Sequence, residues 1–148
     1  EQDCATLQLG LVPLRAYVND SHPWALEQLS MVTLAELAAQ PLLLPSSASV
    51  SRLELDLAMT REGLQYSSVE ECDQSPIIQA LAANGRGVGV VTDLPRYGLH
   101  GVLIQASSHT PELGLGVTLH AAWDRQHYST LTLESLAQRL KAFLHSTY

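Results

Sequence analysis

Phenylalanine occurs once in these 148 residues, cysteine twice, and Lys141 is the single lysine. Each scarcity excludes something. Two cysteines, Cys4 and Cys72, cannot make the disulfide framework of a small secreted scaffold, and they fit a reducing compartment. Redox chemistry at Cys72 is disfavoured, because Glu70 and Glu71 beside it would raise a thiol's pKa rather than lower it. With few cations the formal net charge is −7, a surface that repels phosphate backbones, so this chain by itself is not expected to grip DNA or RNA. No apolar run approaches the ~20 residues of a bilayer span, and no basic-then-apolar leader is visible, so neither a membrane protein nor a signal peptide is read here. The chain opens on Glu1 instead of Met, and is expected to be a fragment or a processed product.

What is present is an aliphatic, leucine-rich globular composition, 46% hydrophobic and 16% charged. Residues 9–19, LGLVPLRAYVN, read as an extended apolar segment entering the turn Asp20-Ser21-His22-Pro23. Thr33 and Glu36 have capping-box spacing before a short helix that Pro41 stops. Leu42 to Leu44 lack polar alternation, as in a strand covered on both faces. From Ser49 or Ser51 to Glu62, Val50, Leu53, Leu57 and Met59 recur at helical spacing, with Gly63 at the left-handed cap. Leu64 to Cys72 is a strand candidate. A helix follows with Ser75 as cap, Pro76 at its first position, a buried stripe of Ile77, Ile78, Leu81 and Ala82, and Asn84-Gly85 at its end. Strands are expected at 88–92, 102–105 and 114–123, then a helix capped by Thr132 that buries Leu133, Leu136, Leu140 and Phe143. Strands alternating with helices indicate an α/β fold with a parallel or mixed sheet.

Motifs for chemistry are thin. Gly85-Arg86-Gly87-Val88-Gly89 leaves a helix and enters a strand, the reverse of a dinucleotide-binding loop. The six histidines include no i, i+4 pair with a companion carboxylate; His120 and His127 are seven apart. No nucleophile elbow or Cys–His pair stands out, and Glu70-Glu71 and Glu54-Asp56 read as solvated carboxylates. No enzyme activity, cofactor or metal is expected. Binding remains. Two helices begin at polar turns directly after strands, at Ser46–Ser51 and Gln74–Ser75. Ligands of open α/β sheets sit beyond the carboxyl ends of strands, where helix N-termini offer free N–H groups to anions.

These stretches together resemble the effector-binding domain of LysR-type transcriptional regulators. LRAYVNDSHPWA is similar to that family's strand and "HPLA" turn. VTLAELAAQPLLLPSSASVSRLELDLAMTREGL resembles its strand, polar loop, Arg-bearing helix and closing Gly. SPIIQALAANGRGVGVVTDLP is similar to "LVAAGLGVALLP", and GLGVTLHAAWDRQHYSTLTLESLAQRLKAFL to the returning strand and terminal helix.

The resemblance implies a periplasmic-binding-protein type II-like α/β fold, with a complete second lobe and part of the first. It divides the chain into residues 1–20 (remnant of the first lobe and a hinge strand), 21–111 (second, effector-binding lobe) and 112–148 (returning hinge strand and C-terminal helix of the first lobe). It implies a cytoplasmic, homo-oligomeric regulator, with subunit pairing through the helix from Val50 to Glu62. Lobe closure on a small effector (an organic acid, an amino acid or an inorganic anion) would be relayed to DNA through a helix-turn-helix domain missing from this chain. Second-lobe effector contacts are expected from Asn19, from Ser46, Ser47 and Ser49, and from Gln74, Ser75 and Gln79. Arg52 is expected to pair locally with Glu36 or Asp56, and His22 to serve its turn. A secreted solute-binding protein of the same architecture is the alternative; an enzyme on that fold would need a catalytic pair or a cofactor lysine, and Lys141 lies on the terminal helix.

Overall fold

The computed structural model describes residues 3–126 and 129–147. In chain order the elements are β1 (Cys4–Pro13), β2 (Arg15–Val18), α1 (Pro23–Leu26), β3 (Met31–Val32), α2 (Leu34–Ala38), β4 (Pro41–Leu44), α3 (Val50–Arg61), β5 (Ser68–Glu71), α4 (Ser75–Ala83), β6 (Val88–Val91), β7 (His100–Ile104), β8 (Gly116–Asp124) and α5 (Thr130–Thr147). They form two compact units, residues 13–116 and residues 1–12 with 117–148. The boundaries expected at 21 and 111 fall inside the larger unit, because β2 lies within its sheet and the Gln105–Gly114 bridge closes its last turn.

The larger unit is built on a six-stranded sheet in the order β3-β7-β2-β6-β4-β5. Pairing is parallel for β4 with β5, β4 with β6, and β3 with β7. β2 alone runs the other way, antiparallel to β6 and β7. The leucine run of β4 is apolar throughout because both its faces are covered. Leu42 and Leu44 pack with Ala16, Val88 and Val90 under Leu55, Ala58 and Met59 of α3. Leu43 turns to the opposite face, with Tyr17, Val91, and Ile78 and Ala82 of α4.

Local signals act as their chemistry dictates. Thr33 and Glu36 form the complete capping box at the start of α2. Gly85, at φ +76, closes α4 in the left-handed conformation. The remaining glycines of that run serve packing: a Cβ on Gly87 would lie 2.7 Å from the Pro41 carbonyl oxygen, and one on Gly89 2.8 Å from Ile78 Cγ2. They let β6 approach β4 on one side and α4 on the other.

Three expected faces differ. α3 buries Leu55, Ala58 and Met59, whereas Val50, Leu53 and Leu57 are exposed; the helix carries aliphatic residues on two sides, so periodicity could not choose between them. α4 buries Ile78, Gln79 and Ala82 while Ile77 is exposed, and its cap is Gln74, with Ser75 as the first helical residue. In the smaller unit, β1 pairs with β8 and α5 begins at Thr130. Of α5 only Ala137 is buried, and Leu136, Leu140 and Phe143 stay exposed, since two strands offer an 18-residue helix little to pack against. Among the described residues no helix is long and apolar enough to cross a membrane.

Candidate functional site

β4 and β5 are parallel neighbours in register, Leu44 opposite Glu71, so both deliver their chains to one edge of the sheet. The Cys72 N–H donates to the Leu44 carbonyl at 2.9 Å, which starts the two following loops side by side. One loop is Pro45–Ser49 ahead of α3, and the other is Cys72–Gln74 ahead of α4. α3 and α4 then cover opposite faces of the sheet, but their N-termini share this edge.

The serines there divide by role. Ser49 caps α3: its Oγ accepts from the Arg52 N–H at 3.1 Å and shares a 3.3 Å hydrogen bond with Ser51 Oγ. Ser46 contributes its backbone carbonyl, which accepts from the Ser49 N–H at 3.0 Å. Among the described residues the hydroxyls of Ser46 and Ser47 have no hydrogen-bond partner. On the second loop, exposed Gln74 makes no side-chain cap, leaving the first N–H groups of α4 uncapped by a side chain. Ser75 Oγ is enclosed yet also unpartnered.

Arg52 ties the first loop to the end of β5, from which the second loop starts. Its Nε donates to Asp56 Oδ1 at 2.9 Å, and its Nη1 to the Pro45 carbonyl at 3.0 Å and to Glu71 Oε1 at 3.1 Å. The guanidinium lies 5.7 Å from the Tyr66 ring centroid, and the Tyr66 hydroxyl donates to Asp56 Oδ1 at 2.5 Å. Burial pushes the Tyr66 hydroxyl's pKa upward, and the bond to the Asp56 carboxylate adds to that. For Arg52, burial opposes the charge, but Asp56 and Glu71 outweigh it and the net shift is upward. The expected partner Asp56 is present; Glu71 takes the place of Glu36.

Two of the seven expected contacts stand apart from this edge. Because β2 is antiparallel, Asn19, just after Val18, falls at the opposite edge, level with the start of β4. There it lines a cavity of about 340 Å³ with Ser21, His22, Gln40, Gly85 and Gly87. His22 caps α1 by accepting from the Trp24 N–H at 3.1 Å, and its other ring nitrogen meets Gln40 Oε1 at 3.0 Å. Gln79 is fully buried, and its amide is committed at both ends: Nε2 donates to the Leu94 carbonyl at 3.1 Å, and Oε1 accepts from the Arg96 N–H at 2.8 Å. It pins the loop after β6 beside the serine edge.

One residue at this edge was not singled out from the sequence. Arg15 opens β2 opposite Val91, the last residue of β6, and so stands at the same edge as the serines. Its Nη1 is enclosed and has no hydrogen-bond partner among the described residues. The available signal was its solitude, as the one charged residue in the apolar run from Leu9 to Val18. Among the described residues no group of His, Cys, Asp and Glu could hold a metal ion; His127 lies outside those residues.

Comparison with known proteins bears on this arrangement. Full-length BenM aligns with a TM-score of 0.73 at 20% identity, covering 96% of this chain and 48% of BenM. The BenM effector-binding domain with its effector benzoate aligns at 0.71 and 19%, covering 100% of this chain and 68% of that one. The CcmR regulatory domain of Synechocystis PCC6803 in complex with 2-PG aligns at 0.67 and 19%, covering 97% and 68%. At these identities the likeness shows a shared fold, that of the periplasmic-binding-protein type II-like effector domains. The chain spans about half the length of full-length BenM and about two thirds of the isolated domains. No curated protein matches it significantly in sequence. The family model described as the LysR substrate binding domain matches residues 1–144, and the chain belongs to that family.

Proposed function

We propose that this chain is the ligand-sensing part of a LysR-type transcriptional regulator, and that it recognises a small anion (an organic acid, an amino acid or an inorganic anion) at the edge bearing Ser46, Ser47, Gln74 and Ser75. It works by binding and not by catalysis. One observation carries the reading: three hydroxyls without partners, on Ser46, Ser47 and Ser75, stand on adjoining loops beside a helix start that no side chain caps. Of the three only Ser75 Oγ is enclosed; such a group left unpaired costs ~1–3 kcal/mol, so a ligand that bonds to it recovers that cost. At the α4 N-terminus Pro76 has no N–H and the Ile77 and Ile78 N–H groups donate to the Gln74 carbonyl, so the Ser75 N–H is the first-turn amide left for a ligand, and with the partial positive charge of the helix end it favours a carboxylate, phosphate or sulfate. Arg15, whose backbone opens β2 at the same edge, carries an enclosed Nη1 with no partner among the described residues. The small molecules in related structures, benzoate with BenM and 2-PG with CcmR, agree with a ligand of this size.

In the intact regulator, an oligomer in the cytoplasm, the ligand shifts a conformational equilibrium by its difference in affinity between two states. A separate helix-turn-helix domain then reads the shift out on DNA. Coupling of ~1–3 kcal/mol suffices for such a response.

The test is a thermal-shift screen of sulfate, phosphate, benzoate, shikimate and the amino acids, followed by calorimetry on any compound that raises the melting temperature. Ser47→Ala and Ser75→Ala should each weaken that compound about ten- to a hundredfold, since a hydrogen bond to a charged group contributes ~1.5–3 kcal/mol. A compound whose affinity survives Ser46→Ala, Ser47→Ala and Ser75→Ala binds elsewhere, and this reading fails.

A further inference from the structure

The Arg52 side chain bonds at once to the Pro45 carbonyl at the head of the serine loop and to Glu71 at the end of β5. Its side chain is 11% exposed, so little of its bonding capacity faces water, while its Glu71 partner is 52% exposed. Asp56 and the Tyr66 ring hold the guanidinium from behind. Its own backbone N–H donates to Ser49 Oγ, so residue 52 fixes the serine loop at both ends, Pro45 and Ser49. A planar guanidinium can serve several acceptors at set angles, which an ammonium cannot reproduce.

We propose that Arg52 is a positioning residue for the anion edge, a brace that sets the Pro45–Ser49 loop against the Cys72–Ser75 turn so that their hydroxyls and amides converge before a ligand arrives. This rests on the ligand reading above for its purpose, but not for its test. Preorganised donors spare the ligand the entropy of gathering them, so the brace shows up as affinity without itself touching the ligand.

The experiment is amide hydrogen exchange, resolved over residues 46–49 and 72–76, on the unliganded protein. Arg52→Met should speed exchange about tenfold or more in both segments together, by local opening. Arg52→Lys should recover part of the protection. Arg86→Met is the control: Arg86 pairs with Glu70 at 3.5 Å on the same strand without reaching either loop, and should leave both unchanged. Should Arg52→Met fail to fold, Glu71→Ala removes only the link to β5 and should loosen 72–76 while sparing 46–49. Exchange that rises in neither segment, or rises uniformly over the whole chain, overturns the brace. The anion screen above, run in parallel, separates the two proposals: loosened loops in a protein that binds none of the screened compounds sink the ligand reading and leave the brace standing.

Discussion

Ser49→Ala isolates what a serine does when it caps a helix instead of meeting a ligand. The substitution removes the acceptor of the Arg52 N–H bond at 3.1 Å, one of the first-turn donors of α3 that the helix cannot satisfy itself. Loss of such a cap costs ~0.5–2 kcal/mol, typically about 1. Ser51 Oγ also loses its 3.3 Å partner, but Ser51 is only partly buried and water can replace that bond. The sum is therefore about 1 kcal/mol, which at a urea slope of ~2 kcal/mol/M moves the midpoint down by about 0.5 M. Ser49→Asp keeps an N-cap acceptor and should restore most of the loss. Ser47→Ala, on an exposed side chain with nothing to lose in the folded protein, should stay within ~0.5 kcal/mol of the parent. Urea unfolding followed by circular dichroism decides it. Equal destabilisation by Ser49→Ala and Ser49→Asp, or by Ser47→Ala, would refute this division of labour among the serines.

Gly89→Ala should destabilise by ~1–3 kcal/mol, because its Cβ would come 2.8 Å from Ile78 Cγ2 in a packed layer. Combined with Ile78→Leu, which has no methyl at that branch, the cost should shrink; strictly additive effects in a double-mutant cycle would place the clash elsewhere. Glu62 accepts from the Ser108 N–H at 3.0 Å and the Ser108 hydroxyl at 2.9 Å, the two largest causes that hold its pKa below the usual 4.5. A depressed carboxylate stabilises the fold above its unfolded pKa, and that contribution is lost as pH falls through the depressed value. Carboxyl NMR should show Glu62 titrating below 4.5, and Ser108→Ala should move it part of the way back; an unshifted Glu62 contradicts the geometry.

Much of the larger unit was legible because its signals are local. The Thr33–Glu36 capping box, the Pro41 stop, Gly63 and Gly85 as left-handed ends, and the unbroken Leu42–Leu44 strand all follow from chemistry within four residues. The two loops of the candidate site were legible for the same reason: each joins a strand, buried β4 or the exposed edge strand β5, to a capped or proline-initiated helix. Which hydroxyls stay free was not. Ser75 read as a cap in sequence and the start of α3 stood open between Ser49 and Ser51, yet of Ser49 and Ser75 only Ser49 accepts a first-turn N–H, and Ser75 begins its helix with its hydroxyl enclosed and unpaired. Gln79 looked like a polar residue near a helix start, and only the approach of the 94–96 loop employs both ends of its amide.

The sequence by itself determined the alternation of elements, their punctuation, and membership in a fold whose strand ends carry polar turns, because propensity, capping and hydrophobic period act over short stretches of chain. Tertiary structure alone decided direction and partnership. An antiparallel β2 sends Asn19 to the far edge and brings Arg15 to the near one, and no periodicity encodes which way a strand runs beside its neighbours. Nor could spacing tell which side of α3 is buried or that Arg52 would reach Glu71, 19 residues on, since both depend on the sheet that other segments build beneath them.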